Sequence, residues 1–172
     1  MAQSGFMDKF DHILEFQLND LTNALSKAKA NFLVAQGCMH TIEFMGGVRN
    51  GKLGEEGQVK SRFFEGVDLL GDDYRQFGKS RMYELRNSLT HEYLPKVRTI
   101  QTIFLARYTE TEGGETDNAI AFGPDGHAIA IDLTKLIDDL RKASKHLRHE
   151  LEQDPAKMAL AEAALSRVPE LA

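Results

Sequence analysis

The stretch "YELRNSLTHEYLP" (Tyr83 to Pro95) sets Arg86, Asn87, His91 and Tyr93 at the end of a helical-looking run that stops at a proline. A guanidinium, an amide and an imidazole suit one substrate type, a phosphodiester with a neighbouring hydroxyl. Imidazole exchanges a proton near neutral pH. Guanidinium holds phosphate oxygens with paired donors and stabilises the charge that grows on them. No carboxylate cluster accompanies the set, so the chemistry it suggests is RNA cleavage with no metal and no other cofactor. On an ideal helix, residues five apart differ by about 140° in azimuth and about 7.5 Å in height. Arg86 and His91 therefore do not share a stripe. Asn87 and His91 do, at i and i+4, on the side away from Leu85 and Leu89, and Arg86 is long enough to swing towards them. The expectation is that Asn87 and His91 are at least partly exposed while Leu85 and Leu89 are buried.

The elements that must position these residues are read from periodicity. From about Met7 to Gly46, apolar residues recur at steps of three and four, the pattern of amphipathic helix, as one rod or two pieces. Asn19 or Asp20 is a candidate cap for a second piece. Gly46-Gly47 reads as a stop, and "RNGKLGEEG" as an exposed loop. "QVKSRFFEGVDLLG" is a short amphipathic helix. Asp72 or Asp73 opens a further helix through "YRQFGKSRMYELRNSLTHEY", whose apolar stripe is Phe77, Met82, Leu85 and Leu89. Pro95 closes it, since proline disfavours helix in the residue before it.

The character changes at Thr99. "TIQTIFLARYT" is rich in β-branched and aromatic residues, which suits a strand. "TEGGETDN" is a polar loop, and "AIAFGPDGHAIAID" is a hairpin around a Gly-Pro-Asp-Gly turn. Asp132 or Thr134 is positioned to cap "LTKLIDDLRKASKHLRHELEQ", which Pro155 ends, and "AKMALAEAALSRV" forms a last short helix. The prediction is a single domain over residues 1–172. Its helical part, 1–95, carries the motif; a β insert spans 99–131, a return helix 132–153, and a short helix with tail 155–172.

At 172 residues the chain is long enough to bury a real core. Its most apolar early run, "NFLVAQGCMHTIEFMGG", is interrupted by Gln36, His40 and Glu43, whereas a membrane span needs about 20 nearly uncharged residues. The opening "MAQSGFMDKFDHILEF" lacks a basic segment followed by an apolar one, so no secretory signal is expected. Cys38 is the only cysteine, which excludes an internal disulfide and all-cysteine zinc sites and points to a reducing cytoplasm. A net charge of −5 gives no bulk attraction for nucleic acid, so any RNA site must be a local patch. The window from Lys79 to Arg98 supplies one, with Lys79, Arg81, Arg86, Lys96 and Arg98 against Glu84 and Glu92.

The pattern R-N-x-x-x-H at a helix end resembles the signature of HEPN domains, helical-bundle proteins common in bacterial toxin–antitoxin and anti-phage systems. Tyr93 extends it to the R-x4-H-x-Y form of toxins paired with a minimal nucleotidyltransferase antitoxin. The order "IEFMGG", loop, "RFF", "MYELRNSLTHEYLP" is similar to that of many HEPN-like bacterial proteins, over roughly Phe32 to Pro95. The resemblance implies a mainly α fold, an antiparallel helical bundle, here with a small three-stranded antiparallel β insert. It implies that His91 is the general acid/base during attack of the RNA 2′-hydroxyl on the adjacent phosphate. Arg86 would stabilise the phosphorane-like transition state, and Asn87 would orient the imidazole or contact RNA. Tyr93 would match the tyrosine that such antitoxins adenylylate. Lys79, Arg81, Lys96 and Arg98 are the candidate RNA contacts. A homodimer with two motifs facing one cleft is the implied assembly. The β insert is a departure from the compact toxins.

Plainer readings stand beside this one. Arg86, Asn87 and His91 could simply cap and solvate a helix end, where cations favour the C-terminal dipole. A non-catalytic HEPN-like interaction or sensor module is the alternative function. His146, His149 and Glu150 have helical metal-ligand spacing, but Arg141, Lys142, Lys145 and Arg148 would repel a cation, so they read as a basic solvated face. His40 reads as a satisfied core histidine and Cys38 as a small buried hydrophobe. The glycines of "GGVRNGKLGEEG" lack the features of a phosphate loop and read as a linker.

Overall fold

Two helices of strongly apolar periodicity open the chain. In the computed structural model, which describes residues 2–107 and 119–167, α1 spans Ala2–Ala28 and α2 spans Asn31–Arg49. The break lies at Lys29, in the left-handed region at φ 52°, and not at Asn19 or Asp20. α2 begins without a side-chain cap; the Asn31 amide instead donates 2.9 Å to the Leu105 carbonyl. Phe10, Ile13, Leu14 and Leu18 of α1 and Val34, Cys38, Ile42 and Met45 of α2 are buried together in the core.

Gly46 and Gly47 do not stop α2, which runs on to Arg49. They let α3, Val59–Val67, pack almost backbone to backbone against it. A Cβ at Gly46 would lie 1.8 Å from the Arg62 carbonyl, and one at Gly66 would lie 1.9 Å from the Ile42 carbonyl. Glycine is the residue that permits so close an approach. The consequence for the site is direct, because this contact brings Arg62 of α3 beside Glu43 of α2.

The stretch expected as one helix after Asp72 is two. α4 covers Asp72–Phe77 and α5 covers Lys79–His91, divided by Gly78 at φ 99°. The bend aims both pieces at the same core: Tyr74, Phe77, Met82, Leu85 and Leu89 are all buried. The Tyr74 hydroxyl donates 2.9 Å to Asp139 of α6, and burial with the nearby carboxylate holds its pKa well above the ordinary tyrosine value.

The β insert is mixed, not antiparallel. β1 (Thr102–Ala106), β2 (Ile120–Phe122) and β3 (Ala128–Asp132) stand in the order β1-β3-β2. β2 and β3 form the expected antiparallel hairpin, but β1 pairs parallel to β3, Ile103 opposite Ile129. Alternation of residue types indicates a strand without indicating its partner. The connection between β1 and β2, which includes the "TEGGETDN" loop, lies outside the described residues over 108–118. Asp132 then caps α6, Leu133–Gln153, accepting from the Thr134 and Lys135 amides. Asp154 caps α7, Pro155–Leu165, with Pro155 in its first turn. α2 is the central helix, touching α1, α3, α5, α6 and α7. The fold is mainly α with a small β insert.

Candidate functional site

The end of α5 is shaped by a buried serine. Ser88 Oγ accepts from the Lys96 amide at 2.9 Å, and the Arg98 amide donates 3.0 Å to Glu84. The chain after His91 therefore doubles back along the helix it has just left. Tyr93 makes the reversal at φ 55°, an uncommon conformation for a non-glycine residue, and its ring stacks on Phe32 of α2 at 6.1 Å. The doubling back sets Lys96 and Arg98 beside Asn87 and His91, with Glu84, Ser88 and Glu92 completing an open cleft of about 340 Å³. Leu85 and Leu89 on the opposite side are fully buried, whereas His91 is exposed and Asn87 half-buried.

Arg86 takes the other side of the helix. Its Nη2 donates 2.8 Å to Glu43 Oε2, while Glu43 Oε1 accepts from Arg62 Nη2 at 2.7 Å and Nε at 3.2 Å. All three side chains are largely withdrawn from water, at 12% exposure for Arg86, 14% for Glu43 and 10% for Arg62. Arg62 Nη1 further donates to the Glu55 carbonyl at 2.7 Å and the Lys52 carbonyl at 3.3 Å, which ties the 50–58 loop to the site. Arg86 Nη1 is 3.1 Å from Asn87 Oδ1. This bond joins the two sides. It also fixes the amide so that its NH2 remains available in the half-exposed position.

A second, smaller cavity of about 270 Å³ lies on the Arg86 side, lined by His40, Glu43, Phe44, Leu53, Arg62 and Arg86. His40 is not the core histidine expected of its apolar helix: it is on the exposed face of α2, one turn before Glu43. Partial burial of its ring and the Arg86 charge lower its pKa below the ordinary value, and Glu43 acts in the opposite sense. Cys38, by contrast, is fully buried as expected, and burial pushes its thiol pKa up.

The four candidate RNA contacts do not form one patch. Lys96 and Arg98 line the His91 cleft. Lys79 and Arg81 begin α5, twelve and ten residues before His91, which at about 1.5 Å per residue is about 15–18 Å away. Lys79 is bound 2.6 Å from Asp68 and lies over the Phe64 ring, and Arg81 donates to the Phe77 carbonyl. The basic window of the sequence is thus split between the two ends of a helix. Tyr93 is 68% exposed, with Leu94 beside it also exposed. His146 and His149 are exposed on α6, while Glu150 faces Arg49 and Lys157. Among the described residues no group of three or more His, Cys, Asp or Glu could hold a metal ion, and no helix is long and apolar enough to cross a membrane.

Glu43 and Arg62 belong to the site but lie outside the motif that residue spacing singles out. Their signals were present: Glu43 and His40 are polar interruptions, three apart, of the most apolar helix, and Arg62 precedes a Phe-Phe pair that must face inward. No protein-family model, curated protein or solved structure matches the chain.

Proposed function

We propose that this chain is a metal-independent endoribonuclease of HEPN type, a bacterial cytoplasmic toxin or defence protein. The observation that supports it is the hydrogen bond from Arg86 to Asn87, which links an anchored guanidinium to an amide sharing a cleft with His91, Lys96 and Arg98. In this reading the 2′-hydroxyl of RNA attacks the adjacent phosphate, His91 transfers the proton and Arg86 stabilises the charge that develops on the phosphoryl oxygens. Asn87 orients the phosphate, and Lys96 and Arg98 hold the flanking backbone. Glu43 fixes the Arg86 rotamer, so that the guanidinium is ordered before substrate arrives. Two chains would face their α5 ends across one cleft. Tyr93, an exposed residue, is the candidate for adenylylation by a nucleotidyltransferase-type antitoxin.

The test is product chemistry. End-labelled single-stranded RNA incubated with the protein in EDTA should yield fragments ending in a 2′,3′-cyclic phosphate or the 3′-phosphate derived from it. Fragments with 3′-hydroxyl ends, or cleavage that stops on chelation, would overturn the reading.

A second reading, a non-catalytic HEPN-like interaction module, is favoured by one feature. The Arg86 charge is already compensated by Glu43 and mostly shielded from solvent, as a purely structural arginine would be. In that case RNA is left intact, and the α5 end with its exposed Tyr93 and Leu94 serves as a docking surface.

A further inference from the structure

In-line cleavage of RNA needs two proton transfers on opposite sides of phosphorus, one from the attacking 2′-hydroxyl and one to the departing 5′-oxygen. The Arg86–Asn87 pair has a cavity on each flank. Asn87 lines one of them with His91, and Arg86 lines the other with His40. The two imidazoles come from different helices, so their separation is set by the packing of α2 on α5. That packing has a readable register. Glu43 meets Arg86, and eleven residues earlier Phe32 meets Tyr93, so the helices run antiparallel, and His40, three residues before Glu43, is level with about Ser88 to Leu89.

We infer that His40 is the second proton-transfer residue of this site, accepting the 2′-hydroxyl proton while His91 protonates the leaving 5′-oxygen. The inference rests on the ribonuclease reading above and assigns to one chain both halves of its acid–base chemistry. The step balances. The 2′-oxygen to phosphorus bond forms as His40 takes the proton, and the phosphorus to 5′-oxygen bond breaks as His91 gives one. The products are a 2′,3′-cyclic phosphate and a 5′-hydroxyl. No oxidant, metal or third reactant enters.

The surroundings of each histidine suit its part. His40 faces Arg86 from α5, Arg62 from α3 and Glu43 from its own helix, with Phe44 and Leu53 as apolar walls. Its lowered pKa keeps it neutral, and therefore basic, at physiological pH. His91 shares its cleft with Glu84 and Glu92 and with Lys96 and Arg98, and Lys96 pairs with Glu92 at 3.6 Å. Glu43 is held by both arginines and is not free to act as the base.

The experiment separates acid from base by the leaving group. Full-length wild type, His40→Ala and His91→Ala are compared on an RNA dinucleotide and on uridine 3′-(4-nitrophenyl phosphate), whose nitrophenolate departs without a proton. Both variants should lose about a hundredfold or more on the dinucleotide. On the nitrophenyl ester His91→Ala should recover to near the wild-type rate, while His40→Ala should remain slow. The rising limb of the wild-type pH–rate profile should vanish in His40→Ala, and His40→Gln should behave as His40→Ala does. If wild type cuts RNA and His91→Ala does not, but His40→Ala is as fast as wild type, the inference fails and the ribonuclease reading stands. If wild type cuts neither substrate, both fall. Circular dichroism of each variant controls for folding, which an exposed His40 should not disturb.

Discussion

At the scale of residues, the site depends on a carboxylate shared by two guanidinium groups. Removing one member of a largely buried ion pair leaves the other charged and unpaired, which costs about 3–5 kcal/mol. Glu43→Ala orphans both Arg62 and Arg86, and urea unfolding should show it destabilised by about 3 kcal/mol or more. Arg86→Ala should cost less, because Arg62 stays on Glu43 with two bonds. Equal losses for the two variants would show that Arg62 does not hold the carboxylate alone. The motif itself was legible from spacing: Leu85 and Leu89 are fully buried and His91 is exposed, as the 3.6-residue period requires. The partner of Arg86 was not. Nothing in the sequence near Arg86 names Glu43, because the contact spans forty-three residues and exists only once α2, α3 and α5 pack. His40 was misjudged for a related reason. An apolar helix surrounded on many sides still keeps one exposed strip, and periodicity alone does not mark where that strip falls.

At the scale of elements, the α2–α3 contact and the clasp of α6 carry the positioning. Gly66→Ala would put a Cβ within 1.9 Å of the Ile42 carbonyl, a backbone atom that cannot turn aside. Overpacking of this kind should destabilise the fold by about 3 kcal/mol and displace Arg62 from Glu43; a thermal melt unchanged from wild type would contradict the packing. Glu150 of α6 accepts from Arg49 of α2 and Lys157 of α7. Burial alone would raise its pKa, but these hydrogen bonds and charges outweigh burial and lower it. A carboxylate with a lowered folded-state pKa contributes stability above its unfolded value, about 4.3, and loses that contribution as pH falls through the folded value. Glu150→Gln should therefore be less stable than wild type at pH 7, with the gap closing below about pH 4. Unfolding midpoints measured from pH 7 to pH 3 check this. Helix breaks were harder to read than helices. Gly46-Gly47 resembles a stop but is a packing surface, while Gly78, in an unremarkable sequence position, divides α4 from α5 because its backbone is left-handed.

At the scale of the whole molecule, a chain of net charge −5 holds a polyanion only where basic groups converge. Folding splits the basic window, leaving Lys96 and Arg98 at the cleft and Lys79 about 18 Å away in an ion pair with Asp68. Each phosphate contact on a single strand adds about −0.7 to the slope of log K against log salt. RNA binding measured by anisotropy at several salt concentrations should lose about 0.7 of slope in Lys96→Ala and again in Arg98→Ala. Lys79→Ala and Arg81→Ala should leave it nearly unchanged; the reverse order would relocate the RNA to the other end of α5. The mainly helical architecture was legible because long amphipathic periods are the strongest signal a sequence carries. The parallel pairing of β1 with β3 was not, since alternation of residue types indicates a strand without indicating its partner or direction.

Under the proposed function, the α5 end cleaves RNA without a metal through Arg86 and His91. The most direct measurement is the single-turnover rate of RNA cleavage in EDTA by wild type and by His91→Ala, with unfolding midpoints compared alongside. Wild type should cleave, His91→Ala should be slower by at least about a hundredfold, and the unfolding midpoint should be unchanged. Cleavage by His91→Ala at the wild-type rate, or no cleavage by either protein, would contradict the proposed function.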